Sequence, residues 1–204
     1  MDPKTLSHLL YLALGAGVLV LWTLESRGAR TRGAEAPEPF WPGARPCAWQ
    51  AAVLAGVGAL LLTLVESGLE IHLGVDDEQS SIPASFLFAM MGAAVVEEVT
   101  FRGFAAPASL AGVRLLASIL AGSLVFMLLH GHIVSFEDGA FRVHDDPKSL
   151  VSAGSAFAVS CWLYLCRFNP LNPGRSLAPA LVGHAVRNLA VFGIKDAQGF
   201  VAWN

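Results

Sequence analysis

The sequence predicts an all-α protein, a polytopic membrane helix bundle of about six transmembrane helices. Three observations carry that prediction. Hydrophobic residues make up 54% of the 204 and charged residues only 14%, against about 25% charged in soluble domains. Mean hydropathy is +0.57. The charges are clustered and leave long stretches nearly free of them, each near the length a bilayer requires.

Residues 6–24 (LSHLLYLALGAGVLVLWTL) form the first candidate span. They lack a basic leading region and a small-residue cleavage site, so they read as an anchor and not a removed signal peptide. Residues 25–50 are polar and basic, and Pro37, Pro39, Pro42 and Pro46 exclude a regular helix there. Residues 51–74 are the second span, followed by an acidic connection ending at Pro83. The third span covers residues 84–110 and the fourth 113–136. EDGAFRVHDDPK reads as a second acidic loop. Residues 149–168 are the fifth span, NPLNPGRS is a turn-rich link, and residues 177–194 are the sixth. The chain reads as a single domain overall, with residues 1–50 as an N-terminal helix and proline-rich loop and residues 51–204 as the membrane-embedded core.

Trp22, Trp41, Trp49, Trp162 and Trp203 fall near the ends of these segments, which suits an interfacial aromatic belt. Ser152, Ala156 and Ser160, with Gly154 and Ala158, recur every four residues along the fifth span and allow close helix approach. Cys47, Cys161 and Cys166 have neither metal-ligand nor disulfide spacing and read as packing residues. The net charge of −3 gives no reason to expect a nucleic-acid partner. The partners expected are membrane lipid and a membrane-associated or lipidated protein or peptide. Lys and Arg are more numerous in the odd-numbered loops, which favours both termini outside.

Charges inside a bilayer are costly and are paired or functional. Glu98 and Arg102 stand four apart with the acid first, the favourable order for a helix ion pair. One glutamate suffices for that pair. Glu97 lies about 100° around the helix and is surplus. Phe126 and His130 share a helix face by the same spacing, and so do His184 and Asn188. These residues could converge from three helices on one polar pocket. Glu97, helped by His130, could act as general base toward water. His184 and Asn188 could stabilise an oxyanion. Alternatively Glu97, His130 and His184 could hold a divalent metal such as zinc.

Each of these residues alone also has a plain structural reading. A histidine in a membrane helix can serve as an interhelical hydrogen bond, and Glu98–Arg102 can simply pin helices. His132 is expected at the periphery. Glu66, Glu70 and His72 are read as interfacial in preference to lining a cavity. Arg187 lies off the His184–Asn188 face and pairs with an acid elsewhere or snorkels.

EEVTFRG, FMLLH and HAVRN together resemble the three motifs of the CPBP family of intramembrane proteases, which includes the endopeptidases that trim prenylated CAAX proteins. The pattern E-E-x-x-x-R, F-x-x-x-H, H-x-x-x-N/D is matched in order by Glu97, Glu98 and Arg102, then Phe126 and His130, then His184 and Asn188. The resemblance covers about residues 84–195. It implies a glutamate-dependent endopeptidase of a bacterial inner (plasma) membrane, cutting a peptide bond near a membrane-associated C-terminus. Glu97 and His130 would activate water, His184 and Asn188 would hold the oxyanion, and Glu98, Arg102 and Phe126 would support them. It leaves open whether a metal takes part.

Rival chemistries fit less well. H-E-x-x-H is absent, and no aspartate falls in an expected span. Gly154-Ser155-Ala156 lacks the full glycine–serine–glycine turn of a rhomboid-type serine site. A non-catalytic scaffold or bacteriocin-immunity-type protein of the same fold is the main alternative, and the filled motif positions speak against it. A transporter would show inverted repeats and broken helices. Glu97 and His130 are 33 residues apart about a turn expected at Val113–Arg114, which predicts similar depth for both.

Overall fold

The structure, a computed structural model, describes residues 2–32, 39–137 and 139–203. Its helices are α1 (Pro3–Arg32), α2 (Trp49–Leu73), α3 (Phe86–Glu97), α4 (Gly112–Leu129), α5 (Pro147–Phe168) and α6 (Ala178–Ala197). α3 runs on without a break as a π-helix, Glu98–Phe104. Two short pairs of strands complete it: β1 (Ile82–Pro83) beside β4 (Val201–Ala202), and β2 (Val134–Glu137) beside β3 (Ala140–Val143).

The expected all-α membrane bundle is what forms. α1, α2, α4 and α5 are long and apolar enough to cross a membrane. Their outward faces carry exposed Leu10, Leu61, Leu129 and Leu165, a surface suited to lipid. The other two helices, α3 with its π-extension and α6, carry the first and third motifs and pack against each other, and the end of α4 carries the second.

α1 packs on α3 through glycine. A Cβ on Gly92 would stand 2.1 Å from the Tyr11 carbonyl oxygen, and one on Gly15 would meet Gly92 itself. Backbones this close admit no side chain between them. α2 lies against α5 and α6, and α4 against α5. On α5, Ser152, Ala156 and Ser160 are all buried, as their spacing predicts, whereas Gly154 faces out. β1 and β4 pair in parallel, Ile82 with Val201, and so tie the start of α3 to the end of α6.

Several sequence-based boundaries shift. α1 continues eight residues past Leu24, to Arg32, because nothing before the prolines stops it. Pro37 lies outside the described residues. Pro39, Pro42 and Pro46 sit in non-helical chain, as expected, and this chain folds onto the core. The Glu25 carboxylate accepts from the Phe40 and Trp41 N–H groups at 2.7 Å each, and Leu177 N–H donates to Gly43 O. Trp22 is not interfacial: it is buried beside Val99 and Leu163, its indole N–H donating to Pro42 O at 3.2 Å. Trp162 likewise donates inward, to Ala55 O. Trp49 and Trp203 are the exposed members of the expected belt.

The fourth span ends at Leu129, not at 136. Gly131 adopts φ +72°, the left-handed conformation that terminates helices. The acidic loop after it forms the β2–β3 hairpin. α5 then starts two residues earlier than expected, with Asp146 as N-cap accepting from Ser149 N–H at 2.9 Å and Pro147 in the first turn. That N–H holds the Asp146 carboxyl below its ordinary range. α6 reaches Ala197, so Asp196 falls in its exposed last turn.

Candidate active site

Glu98 and Arg102 form the expected pair inside the π-helix, Nη1 to Oε1 at 3.1 Å, with both side chains fully buried. A charge pair in that position needs further partners, and α5 and α6 supply them. Arg102 Nη2 donates to Ser160 Oγ. The guanidinium lies over the Phe126 ring at 4.4 Å and the Tyr164 ring at 4.9 Å, an arrangement that favours a cation. Tyr164 OH in turn donates to Phe101 O at 2.8 Å, inside the π-helix. A Cβ on Gly122 would meet that hydroxyl at 2.2 Å, so α4 needs glycine where it passes Tyr164.

His184 enters from α6. Its Nδ1 lies 2.8 Å from Glu98 Oε1, and since a carboxylate only accepts, Nδ1 carries the proton. Its Nε2 points at Glu97 Oε2, 3.7 Å away. The two adjacent glutamates thus meet the two nitrogens of a single imidazole. They differ in access: the Glu98 side chain is 0% exposed and that of Glu97 30%. The surplus glutamate is the open one.

His130 and Asn188 are less closely joined to this cluster. His130 caps the end of α4, its Nδ1–H donating to Phe126 O at 2.8 Å, which leaves Nε2 as an acceptor. Phe126 packs against both this ring and that of His184, with its centroid 4.2 Å from His130 and 6.1 Å from His184. The connection between the helices of Glu97 and His130 runs over residues 105–111 instead of turning at 113–114. Both residues nevertheless lie near His184, Glu97 at 3.7 Å and His130 across the Phe126 ring that touches both histidines. Asn188 is buried one turn beyond His184, its amide donating to Met90 O on α3 at 2.8 Å. The second N–H of that amide is not used in this bond.

The metal reading fits poorly. Among the described residues no three His, Cys, Asp or Glu side chains are grouped so as to hold an ion. Nδ1 of both His130 and His184 is bonded to a protein acceptor, as it is in metal-binding histidines, so the misfit lies in the placement of the side chains and not in their free nitrogens. Glu97, His130 and His184 are therefore not a zinc-ligand set as they stand.

A second polar region lies alongside. Glu66 and Glu70, with Lys148, Arg187 and His132, line a cavity of about 300 Å³ between α2, α5 and α6, the alternative placement for these two acids, while His72 is exposed. Arg187 pairs with Glu66 at 3.3 Å, the pairing with a distant acid that its position suggested. Ser155 Oγ donates to the same carboxylate at 2.6 Å, and Lys148 pairs with Glu70. Two site contacts escaped the sequence reading. Ser160 read as a small packing residue, and Tyr164 carried no signal beyond being polar in an apolar helix.

Comparison with known proteins bears on this arrangement. A family model described as Type II CAAX prenyl endopeptidase Rce1-like matches residues 79–190. That span is over half of the chain and contains every motif residue above. The chain belongs to the Rce1-like family. CAAX-type intramembrane proteolysis is the general activity of that family, and an Rce1-like chain is a membrane protein that meets lipid and a peptide substrate. No curated protein and no solved structure matches the chain.

Proposed function

We propose that this Rce1-like protein is an intramembrane endopeptidase with Glu97 as its general base, cutting near the C-terminus of a membrane-associated protein or peptide. One observation carries the reading: of two adjacent glutamates on one imidazole, Glu98 is sealed and Glu97 is open. A base must reach water and substrate, and only Glu97 can.

In the proposed step Glu97 takes a proton from a water molecule as the water oxygen bonds to the scissile carbonyl carbon. The carbonyl oxygen becomes an oxyanion. Donors come from α6, the second amide N–H of Asn188 and, when protonated, Nε2 of His184. The proton on Glu97 then passes to the departing amine as the C–N bond breaks. Glu98 holds His184 by Nδ1 and so fixes where Nε2 points. Arg102 balances Glu98, and Phe126 and Tyr164 enclose Arg102. His130, with Nε2 free to accept, packs on the other side of Phe126 as a second proton acceptor for the attacking water.

The test is a comparison of protein termini in membrane and secreted fractions. One set of cells carries wild type and the other Glu97→Gln, which removes the base and keeps the shape. A terminus trimmed only with wild type is the expected result and names the substrate. Unchanged termini, in cells where Glu97→Gln still restores a deletion phenotype, would replace the protease by a non-catalytic scaffold.

A further inference from the structure

The segment between α4 and α5 joins two helices that are each able to cross a membrane. It therefore lies at a membrane boundary. Here it folds into the antiparallel β2–β3 hairpin, with Val134 opposite Val143, Ser135 opposite Arg142 and Phe136 opposite Phe141. His144 N–H donates to Ile133 O and closes its base. Side chains alternate along a strand, so Val134, Phe136, Phe141 and Val143 share one face. Ser135, Ala140 and Arg142 fall on the other. The Phe136 and Phe141 rings meet edge to face at 5.1 Å.

Three of these four side chains are largely bare of protein: Phe136 is 65% exposed, Phe141 78% and Val143 73%, while Val134 is half-buried. A lone two-stranded hairpin is marginally stable in water, and one presenting three exposed apolar side chains needs cover. The surrounding surface indicates which. Leu128 and Leu129 in the last turn of α4 and Leu150 in the first turn of α5 are also exposed. They continue the lipid-facing surface of the two helices up to the hairpin.

We infer that the β2–β3 hairpin lies along the membrane surface as an interfacial foot, its Val134–Phe136–Phe141–Val143 face in lipid and its Ser135–Ala140–Arg142 face toward water. Phenylalanine is among the side chains that fill the lipid-side face of interfacial segments. The foot begins four residues after His130, across the helix-ending Gly131. It thereby sets the depth of the end of α4 that carries His130.

The experiment uses the full chain in phosphatidylcholine–phosphatidylglycerol vesicles, with Cys47, Cys161 and Cys166 replaced by alanine. A nitroxide label is attached at Phe141→Cys or at Ala140→Cys. Relaxation by oxygen, which concentrates in lipid, is compared with relaxation by a water-soluble nickel chelate. The expected result is an alternation: oxygen dominates at 141 and nickel at 140. Nickel dominance at both positions would overturn the inference by placing the hairpin in water, and oxygen dominance at both would overturn the flat seating. A label at 141 shielded from both reagents, with broadening that grows with the protein-to-lipid ratio, would assign the face to a second copy of the chain instead. Should the cysteine-free chain fail to fold, Phe141→Trp in the natural chain keeps the test. Brominated lipid should then quench more fluorescence than in wild type, and equal quenching would overturn the proposal. Neither readout depends on proteolysis.

Discussion

Two ion-paired networks lie side by side in this bundle, alike in composition and different in surroundings. The inner one joins Glu98, Arg102 and His184, all buried, and lies wholly within residues 79–190, matched by the family. The outer one pairs Glu66 with Arg187 and Glu70 with Lys148 around an open cavity, and draws both acids from α2, outside that match. The inner charges cannot be rehydrated, so each is matched by several groups: a guanidinium, an imidazole, a hydroxyl and two aromatic faces. The outer charges face a space that water can fill, and each pair has a single added donor on its carboxylate, Ser155 on Glu66 and Gln79 on Glu70. Arg187 belongs to the outer network although it sits between His184 and Asn188 in sequence. One turn of α6 therefore serves both, and side-chain direction decides which.

The largest effect expected is chemical and falls on the residue at the edge of the inner network. Glu97→Gln should lower cleavage by about 10²–10⁴-fold, the usual worth of a positioned general base, while the folded protein recovered in detergent stays at the wild-type level. Glu97→Gln that cleaves at the wild-type rate would remove Glu97 from the mechanism. Next comes Arg102→Ala. It strands the fully buried Glu98 and should destabilise the fold by about 3–5 kcal/mol, seen as loss of monodisperse protein. Combining Arg102→Met with Glu98→Gln removes both charges and should recover much of that loss. If the double variant is as unstable as Arg102→Ala, the cost lies in packing and not in a stranded charge.

The outer network should answer more weakly. Lys148→Met removes a pair that water reaches on one side, and Gln79 still donates to Glu70 at 3.0 Å. The expected loss is about 1 kcal/mol or less, measured as the shift in thermal unfolding midpoint. A loss as large as that of Arg102→Ala would show the two networks to be energetically alike and erase the distinction.

The bundle and the inner network were legible because both rest on local spacing. Apolar runs of bilayer length mark the helices, and the i, i+4 spacing of Glu98 and Arg102 places them on one face. The π-helix was not legible, since Glu98–Phe104 looks like any other helical stretch in the sequence. The shared imidazole was missed for a related reason: a 100° separation suggested that Glu97 points away from Glu98, yet a ring with nitrogens on two sides can meet both. The hairpin did leave a signal. Val134, Phe136, Phe141 and Val143 alternate about an Asp138-Gly139 dipeptide, a recognised hairpin pattern. It was hidden because VSF also extends the apolar run of the helix before it.

The smallest effect expected tests the boundary between the networks, where His132 faces the outer cavity and its ring lies 6.3 Å from that of His130. Burial, with the charges of His130, Arg187 and Lys148 adding to it, pushes the His132 pKa down to about 4, and Glu70 opposes the shift. The unfolded chain binds that proton near pH 6.5. Between about pH 6.5 and 4 the unfolded state therefore holds more protons than the folded one, so stability falls as pH falls through that window and is level above it. His132→Gln should remove this part of the dependence. The side chain is only half-buried and water screens it, so the expected difference between the two proteins is a change of about 2–4 °C in unfolding midpoint, present at pH 4.5 and absent at pH 7.5. A difference at pH 7.5 as large as at pH 4.5 would mean that His132 acts through packing and not through its charge. Its place at the boundary would then be steric.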